Sequence, residues 1–321
     1  METPLSTSGN LPPRPASRPP LSLSGLDFKL LRVFKAVVEA GGFSAAQNEL
    51  NVGLAAISKQ ISDLEIRIGM RLCTRGREGF CLTEEGKLVY QASIDLFASV
   101  DSFRDRLSSA QNELIGDLNI GVIDNTVSDF HSPLIAALRK LHDEAPKVRL
   151  RLHAAQLDEI ERGVVEGRLI VGIVPVYQRR EEFDYFPLYE ERSLVYCARG
   201  HGLFDVAADQ IDGEVLRQYE VINHRYAIHN DKAQFVNYSS QAPGASQVEA
   251  VAMLILTGRF IGFLPEHYAA PLISNGTLRA LCPQTISIST SLSLILRHNT
   301  PRSPQVKAFA AALGVDLKAI A

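Results

Sequence analysis

The spacing of apolar residues between positions 26 and 69 predicts three short helices. In the first two, apolar side chains recur every three or four residues, and Gly41-Gly42 separates one helix from the next. Ser44 is placed to cap the second helix, and the turn Asn51-Val52-Gly53 precedes the third, at 54–69. The predicted inward positions are Leu30, Leu31, Phe34, Val37, Val38, Phe43, Ile57, Ile61, Leu64 and Ile68. Three short helices around one small core are the arrangement of a helix-turn-helix.

A basic hairpin and a long helix are predicted next. Residues 72–82 form two extended arms around a glycine-containing tip with Arg75 and Arg77, which is the pattern of a wing. Thr83 and the two glutamates after it cap a helix that runs to about residue 114, because free N–H groups and the positive dipole end favour these side chains. We therefore expect a winged helix-turn-helix at 26–83 and a linker helix at 84–115.

The linker helix carries an apolar stripe at near-heptad spacing, interrupted by Ser93. Its members are Val89, Leu96, Val100, Phe103 and Leu107. A stripe of this kind on one helix needs a partner surface. Homodimerisation is the economical interpretation, and docking of the helix on its own domain is the alternative.

From residue 116 the pattern alternates between strands and helices. Strands are predicted at 118–123, 148–152, 169–174, 193–198, 219–222, 261–264 and 287–296, and helices at 134–143, 157–166, 248–257 and from 304 onwards. Such alternation is typical of parallel α/β sheets with ligand space at the strand ends. Two such units joined by two extended crossovers predict a two-lobed effector-binding domain at 116–321. Lobe one is expected at about 117–187 and 287–321, and lobe two at about 188–286.

Composition narrows the class of protein. Of 321 residues, 46% are hydrophobic and 21% are charged, and the net charge is −3, so any nucleic-acid site must be local. Residues 1–25, rich in Pro, Ser and Gly, are predicted to be a disordered tail. The sequence contains neither an apolar run of membrane-spanning length nor a secretory leader. We therefore expect a cytoplasmic location and no membrane partner.

The sequence does not have the pattern of a catalytic or metal site. The four cysteines are Cys73, Cys81, Cys197 and Cys282. They lack CxxC spacing and are expected to be structural in a reducing compartment, with a redox-sensing thiol as the alternative. His224 and His229 are a weak indication of a metal, and no GxSxG, HExxH or phosphate-binding loop occurs. We expect no enzyme activity, catalytic residue, metal or cofactor.

The third helix has a polar face opposite its apolar stripe. This face is formed by Ala55, Ser58, Lys59 and Ser62. None of these is acidic, although Asp63 and Glu65 lie nearby, whereas a plain solvated face usually mixes Glu and Lys. Such a surface suits a helix in a DNA major groove. Double-stranded DNA is therefore the predicted partner, with Arg75 and Arg77 contacting phosphates or the minor groove.

Four segments of this head resemble LysR-type transcriptional regulators. They are FKAVVEAGGFSAAQNEL at 34–50, AISKQISDLE at 56–65, GMRL at 69–72 and LTEEG at 82–86. A weaker likeness continues through PLYEE at 187–191, GHGL at 200–203 and IGFLP at 261–265. Together these segments extend the resemblance over nearly everything after residue 25.

The resemblance implies a winged helix-turn-helix, a linker-helix dimer and an effector domain like a periplasmic binding protein. The family's DNA-contact positions fall on Ser44, Ala55, Ser58, Lys59, Arg75 and Arg77. Its effector-contact positions fall on Asn125, Thr126, Gln156, His224 and Gln247. Neutral polar groups at loop ends and helix starts can hold a carboxylate. The alternative is that Asn125 and Thr126 merely cap the following helix.

The chain also departs from the family's pattern. Gly53-Leu54-Ala55 stands in place of the usual Ser-Gln-Pro, so that a base-edge hydrogen-bond partner is lost and operator preference is expected to shift. Ile170 stands where Asp is common, and Phe260 stands where a second Gly is usual. A phenylalanine beside the cleft would shrink or occlude the effector pocket.

The predicted function is transcription regulation by sequence-specific DNA binding, as a homodimer or homotetramer. A small organic effector, such as a carboxylate, would modulate binding from the inter-lobe cleft, and RNA polymerase is a further expected partner. One alternative is a solute-binding module without a DNA role, which needs a secretory leader and leaves the first hundred residues unexplained. The other is an effector-independent DNA-binding regulator with an occluded pocket.

Overall fold

The computed structural model describes residues 24–76, 79–110, 114–222 and 243–318. The chain divides into two compact units, Met1–Leu96 and Phe97–Ala321, which are described separately below. The predicted tail up to residue 23 and the predicted site residues Arg77 and His224 lie outside the described residues, as does His229. Among the residues described, no helix is both long enough and apolar enough to cross a membrane.

Three helices form the core of the first unit, as predicted. They are α1 (Gly25–Glu39), α2 (Phe43–Leu50) and α3 (Leu54–Ile68). Their inward side chains include Leu30, Leu31, Phe34, Val37, Phe43, Ala46, Ile57, Ile61 and Leu64, all buried. Asn51 ends α2 in the left-handed conformation at φ 51°, a conformation that Asn tolerates better than most residues. The predicted cap at Ser44 is wrong, because α2 already begins at Phe43 and Gly42 takes the N-cap position.

A polar contact fastens the start of α1 to the end of α3. Asp27 is buried on α1, and its Oδ2 accepts from the backbone N–H of Ser24 at 2.7 Å and from the Ser24 hydroxyl at 2.6 Å. Arg67 of α3 donates from Nη2 to the same oxygen at 3.0 Å. These hydrogen bonds, first from Arg67 and then from Ser24, hold the pKa of Asp27 well below its usual range.

The wing and the long helix follow, also as predicted. Strand β1 (Cys73–Gly76) pairs antiparallel with β2 (Gly79–Leu82). Thr83 caps helix α4 (Glu84–Ala110) by accepting from the N–H of Gly86 at 2.9 Å. The first turns of α4 bury Val89, Tyr90, Ser93 and Ile94. The first member of the predicted apolar stripe, Val89, is therefore buried within a single chain.

The second unit is built from alternating strands and helices. Its strands are β3 (Gly116–Val122), β4 (Val148–Ala154), β5 (Val171–Pro175), β6 (Phe183–Ala198), β7 (Gly262–Pro265), β8 (Leu278–Leu281) and β9 (Ser287–Arg297). Its helices are α5 (Leu134–Glu144), α6 (Leu157–Val165), α7 (Gly213–Leu216), α8 (Val248–Leu256), α9 (Glu266–Ser274) and α10 (Pro304–Ala312).

The sheet of this unit is mixed, with the order β4-β3-β5-β9-β6-β7 and with β8 paired to β6. The expectation of parallel sheets is correct for β3, β4 and β5 and wrong for the rest. The two crossovers between the lobes, β6 and β9, are themselves long strands that pair antiparallel over Phe183–Leu194. An apolar alternation gives a strand but not its direction, so this pairing could not be foreseen. The predicted strand at 219–222 is one bridge, Val221 to Ile261.

Each lobe has its own hydrophobic core. In lobe one, Ile120 and Val171 of the sheet pack with Leu141 of α5 and Phe309 of α10. In lobe two, residues of β6 and β7 pack with α8 and α9. Phe260, expected to obstruct the pocket, packs partly buried against this second core. Packing in lobe two therefore accounts for the position of Phe260.

Candidate DNA-binding and effector sites

The predicted DNA-facing side of α3 is accessible in the first unit. Ala55, Lys59 and Ser62 are exposed, and Ser58 is half-buried. Their helix is held from behind by Ile57, Ile61 and Leu64, each no more than 2% exposed. The α3 surface, as we call Ala55, Ser58, Lys59 and Ser62, is thus presented by a fixed helix, as groove binding requires.

Glu65, an acid near the α3 surface, contacts the start of the wing. Glu65 Oε1 accepts from the backbone N–H of Leu72 at 2.7 Å and from that of Cys73 at 3.3 Å. Its carboxylate therefore helps to fix the start of β1 rather than to oppose a phosphate. Asp63 is half-buried on the same helix. Sequence reasoning placed both acids correctly but could not assign Glu65 its partner.

The remaining predicted DNA-contact residues are described only in part. Ser44 is exposed in the first turn of α2, and Leu54 at the start of α3 is 41% exposed. The backbone of Arg75 lies in β1 opposite Phe80. The side chain of Arg75 and all of Arg77 lie outside the described residues.

Two predicted effector residues, Asn125 and Thr126, follow β3 and make local hydrogen bonds. Asn125 adopts φ 70° and precedes a short 3-10 helix, Thr126–Ser128. Its backbone and side-chain oxygens both lie 3.0 Å from the Ser128 hydroxyl. Thr126 Oγ1 donates to the carbonyl of Ile123 at 3.0 Å. Asn125 stands at the N-cap position of the short helix, but its side chain makes no cap hydrogen bond to the backbone, so the capping alternative is not confirmed. The local contacts nevertheless occupy part of the polar groups that an effector would use.

The other described effector positions lie where the lobes meet. Gln156 precedes α6 in lobe one, and its Nε2 is 3.5 Å from the hydroxyl of Ser246 in lobe two. Gln247 occupies the N-cap position of α8 without a side-chain cap. The structure thus brings Gln156 close to the start of α8, beside Gln247.

Sequence reasoning missed Asp124, which links the two lobes. Its Oδ2 accepts from the backbone N–H of Val248, at the start of α8, at 3.2 Å. Burial raises the pKa of Asp124, while the hydrogen bond from Val248 lowers it. A helix N-terminus favours an anion, and here the chain supplies one itself. The signal available in the sequence was an acid directly after a buried strand.

A second polar link was also missed. Ser128 Oγ lies 2.9 Å from Nδ1 of His267 on α9, and His267 Nε2 lies 3.0 Å from Glu191 Oε1 on β6. These three side chains join the loop after β3, the crossover strand and lobe two. They lie far apart in sequence, so no local spacing could reveal them.

Comparison with known families matches both units. The family described as "Bacterial regulatory helix-turn-helix protein, lysR family" matches residues 28–87. The family described as "LysR substrate binding domain" matches residues 111–316. The first match contains the helix-turn-helix and wing, and the second contains both lobes.

Individual relatives agree with these matches. The HTH-type transcriptional activator BauR of Pseudomonas aeruginosa is 38% identical over 294 residues, covering 92% of this chain and 96% of BauR. A full-length OxyR variant from Pseudomonas aeruginosa, 16% identical, covers 91% of this chain and 95% of its own, with a TM-score of 0.63. Full-length LysG from Corynebacterium glutamicum, solved with bound effector Arg, is 17% identical. It covers 89% of this chain and 96% of its own, with a TM-score of 0.53.

The two solved structures share the fold, and the identity to BauR extends over nearly the whole chain. LysR proteins are transcriptional regulators rather than enzymes. The chain belongs to the LysR family and is a transcriptional regulator with a helix-turn-helix DNA-binding domain and a two-lobed effector-binding domain.

Proposed function

We propose that this regulator binds its operator by placing α3 in the major groove, with the α3 surface towards the base edges. The observation that carries the proposal is that the residues of this surface are small or basic, that all of them except half-buried Ser58 are exposed, and that a buried apolar face holds the helix from behind. Arg75 and Arg77 of the wing contact neighbouring phosphates, and Ser44 contacts the backbone from α2. Exposed Leu54 suits a thymine methyl group better than a polar base edge.

Duplex binding at several salt concentrations tests this proposal. A fluorescent duplex from the region upstream of the protein's own gene is titrated with the full chain, alongside a scrambled duplex. We expect tighter binding to the upstream duplex and a steep loss of affinity as salt rises, because phosphate contacts release counterions. Absence of duplex binding at low salt would overturn the proposal.

We propose that the regulator assembles through α4, as a homodimer or a dimer of dimers. Leu96 and Val100 are half-buried in the single chain, and Phe103 is 61% exposed, so apolar surface remains for a partner. The side chain of Leu107 lies outside the described residues. Because Val89 is already buried within its own chain, the proposed dimer contact begins at Leu96. Sedimentation of Phe103→Glu should show smaller particles than wild type, whereas Phe103→Leu should keep the wild-type assembly.

We propose that the effector is a small organic molecule with a carboxylate, bound between the lobes. Gln156 and Gln247 flank the start of α8, and the neighbouring N–H of Val248 already donates to the carboxylate of Asp124. An effector carboxylate would displace Asp124 from this position. Asp124 also favours a second candidate, an effector-independent regulator whose anion site is filled by its own side chain. A thermal-shift screen of small organic acids separates the two, since only the first predicts stabilisation.

We further propose that this protein activates transcription through contact with RNA polymerase in the cytoplasm. The support is its similarity to BauR, which is named a transcriptional activator. Transcription from the upstream region, reconstituted with purified polymerase, should rise on addition of the protein. A fall in transcription would assign it to repression instead.

A further inference from the structure

Three side chains of metal-ligand type converge at the junction of the lobes. Asp129 follows the short 3-10 helix after β3, Glu191 lies within β6, and His267 is the second residue of α9. One potential ligand atom from each lies within 4.8 Å of the others. Asp129 is 4% and Glu191 6% exposed, and the His267 side chain is 10% exposed. We refer to these residues as the junction cluster.

Among the residues that the structure describes, neither lysine nor arginine forms an ion pair with the junction cluster. In the described part of the chain, the ion pairs of its two carboxylates are all with histidines, His267 and the exposed His131. By contrast, the buried Asp184 is paired with both Arg302 and His298. Asp129 Oδ1 also accepts from the backbone N–H of His131 at 2.9 Å. Two buried carboxylates that are paired only with imidazoles carry negative charge that burial makes costly.

One oxygen of Glu191 points to a missing ligand. Glu191 Oε1 is 3.0 Å from His267 Nε2, but Oε2 is buried and has no hydrogen-bond partner among the described residues. A proton on His267 Nε2 would satisfy Oε1 and leave Oε2 unpaired. A metal ion beside the carboxylate can bind either oxygen or both.

The hydrogen bonds of His267 orient it as metal-binding histidines are oriented. The Ser128 hydroxyl has one hydrogen, which the carbonyl and side-chain oxygens of Asn125 can accept at 3.0 Å. Ser128 Oγ then accepts from Nδ1–H of His267 at 2.9 Å. Nε2 is left facing Glu191 Oε1 at 3.0 Å and Asp129 Oδ2 at 3.9 Å. A fixed donor at one ring nitrogen and a free lone pair at the other are typical of a ligating imidazole.

We propose that the junction cluster binds a divalent transition-metal ion of the Zn²⁺ type. Ligand atoms about 2.0–2.2 Å from a shared ion stand roughly 3.4 Å apart in a tetrahedral site. His267 Nε2 lies 3.0 Å from Glu191 and 3.9 Å from Asp129, and the ligand atoms of all three residues lie within 4.8 Å of one another. One imidazole and two carboxylates suit such an ion. Because Asp129 belongs to lobe one and His267 to lobe two, the ion holds the lobes together and favours their closed arrangement. The regulator thereby senses metal, separately from any organic effector.

The test is metal uptake by the tag-free full chain after removal of metal with a chelator. Titration with Zn²⁺, followed by calorimetry and elemental analysis, should give about one ion per chain and a rise in melting temperature. His267→Gln and Glu191→Gln should each weaken binding at least tenfold, because each removes a ligand. His298→Gln is the matched control: it removes a histidine from a buried carboxylate that keeps Arg302, and it should bind Zn²⁺ like wild type.

Two results would overturn the proposal. One is that wild type takes up no stoichiometric Zn²⁺. If its melting temperature still changes with pH, the cluster is held by a proton between His267 and Glu191 and not by a metal ion. The other is wild-type affinity in both His267→Gln and Glu191→Gln. Circular dichroism and duplex binding check that each variant folds. If Glu191→Gln does not fold, the Zn²⁺ affinity of His267→Gln decides alone. Failure of wild type to bind duplex would concern the DNA proposal only.

Discussion

At the scale of single residues, Asp27 stabilises the contact between α1 and α3 in the head. Its carboxylate accepts from Ser24 and Arg67, so it both caps α1 and joins α1 to α3. Its lowered pKa means that it contributes stability above its unfolded value, near 3.8, and that this contribution is lost as pH falls towards the folded value.

We therefore predict that Asp27→Asn lowers the free energy of unfolding of the head by about 1–2 kcal/mol near pH 7. The difference from wild type should shrink as pH falls below about 4, because Asp27 of the unfolded wild-type chain then takes up a proton while the folded carboxylate is still charged. Urea unfolding at the two pH values measures this. Glu84→Gln is the control, because the Glu84–Lys87 pair is exposed and such pairs contribute little. Equal effects of both substitutions would contradict the assignment.

At the scale of elements, α4 approaches the wing so closely that only glycine fits. A Cβ at Gly86 would lie 1.9 Å from the carbonyl oxygen of Leu72. That oxygen also accepts from the N–H of Thr83 at 3.0 Å. The start of α4 is thus fixed to the start of β1 through backbone contact.

Gly86→Ala should destabilise the head by about 2–3 kcal/mol, because the backbone of Leu72 cannot move aside without loss of its hydrogen bond. Chemical denaturation monitored by helical circular dichroism measures the change. Gly25→Ala is the matched control, since a Cβ there meets no atom within 4 Å. An unchanged midpoint for Gly86→Ala would disprove the close contact.

The elements of the head were predictable because their signals are local. The inward positions of α1 and α3 repeat within a few residues, and Thr83 stands next to the helix it caps. Two of the elements of the second unit that were missed, α9 and β8, were missed for different reasons. Helix α9 contains Pro271, which lacks a backbone N–H and weakens the helical pattern. Strand β8 has only four residues, and its partner β6 is distant in sequence.

At the scale of the whole molecule, the links between the lobes set how the effector domain responds. Asp124 ties lobe one to the start of α8, and its pKa is raised mainly by burial. For an acid with a raised folded pKa, the stabilising contribution is present below the unfolded value and is lost as pH rises through the folded value. The second link between the lobes is the contact of Ser128 with His267. Neither link was predictable, since His267 lies 139 residues from Ser128 and Val248 lies 124 residues from Asp124.

We predict that Asp124→Ala binds small carboxylates about tenfold more tightly than wild type, because it removes the internal anion at α8. Thermal shifts with acetate, propionate, benzoate and succinate measure the change. Asp124→Asn, which keeps an acceptor oxygen, should lie between wild type and Asp124→Ala. Glu159→Gln, an exposed acid at the start of α6, should behave as wild type. Equal responses from all four proteins would leave the effector-independent candidate in force.

DNA binding by this regulator is proposed to depend on the α3 surface, and a substitution of Lys59 tests that dependence most directly. Affinity for the upstream duplex is measured against salt concentration for wild type, Lys59→Ala and Lys35→Ala. Lys35→Ala removes the same charge from α1, where Lys35 pairs with Glu39 at 2.6 Å. We predict that Lys59→Ala weakens binding about tenfold and reduces the salt slope by about 1, while Lys35→Ala matches wild type. Identical affinities and slopes for wild type and Lys59→Ala would contradict the proposed docking of α3.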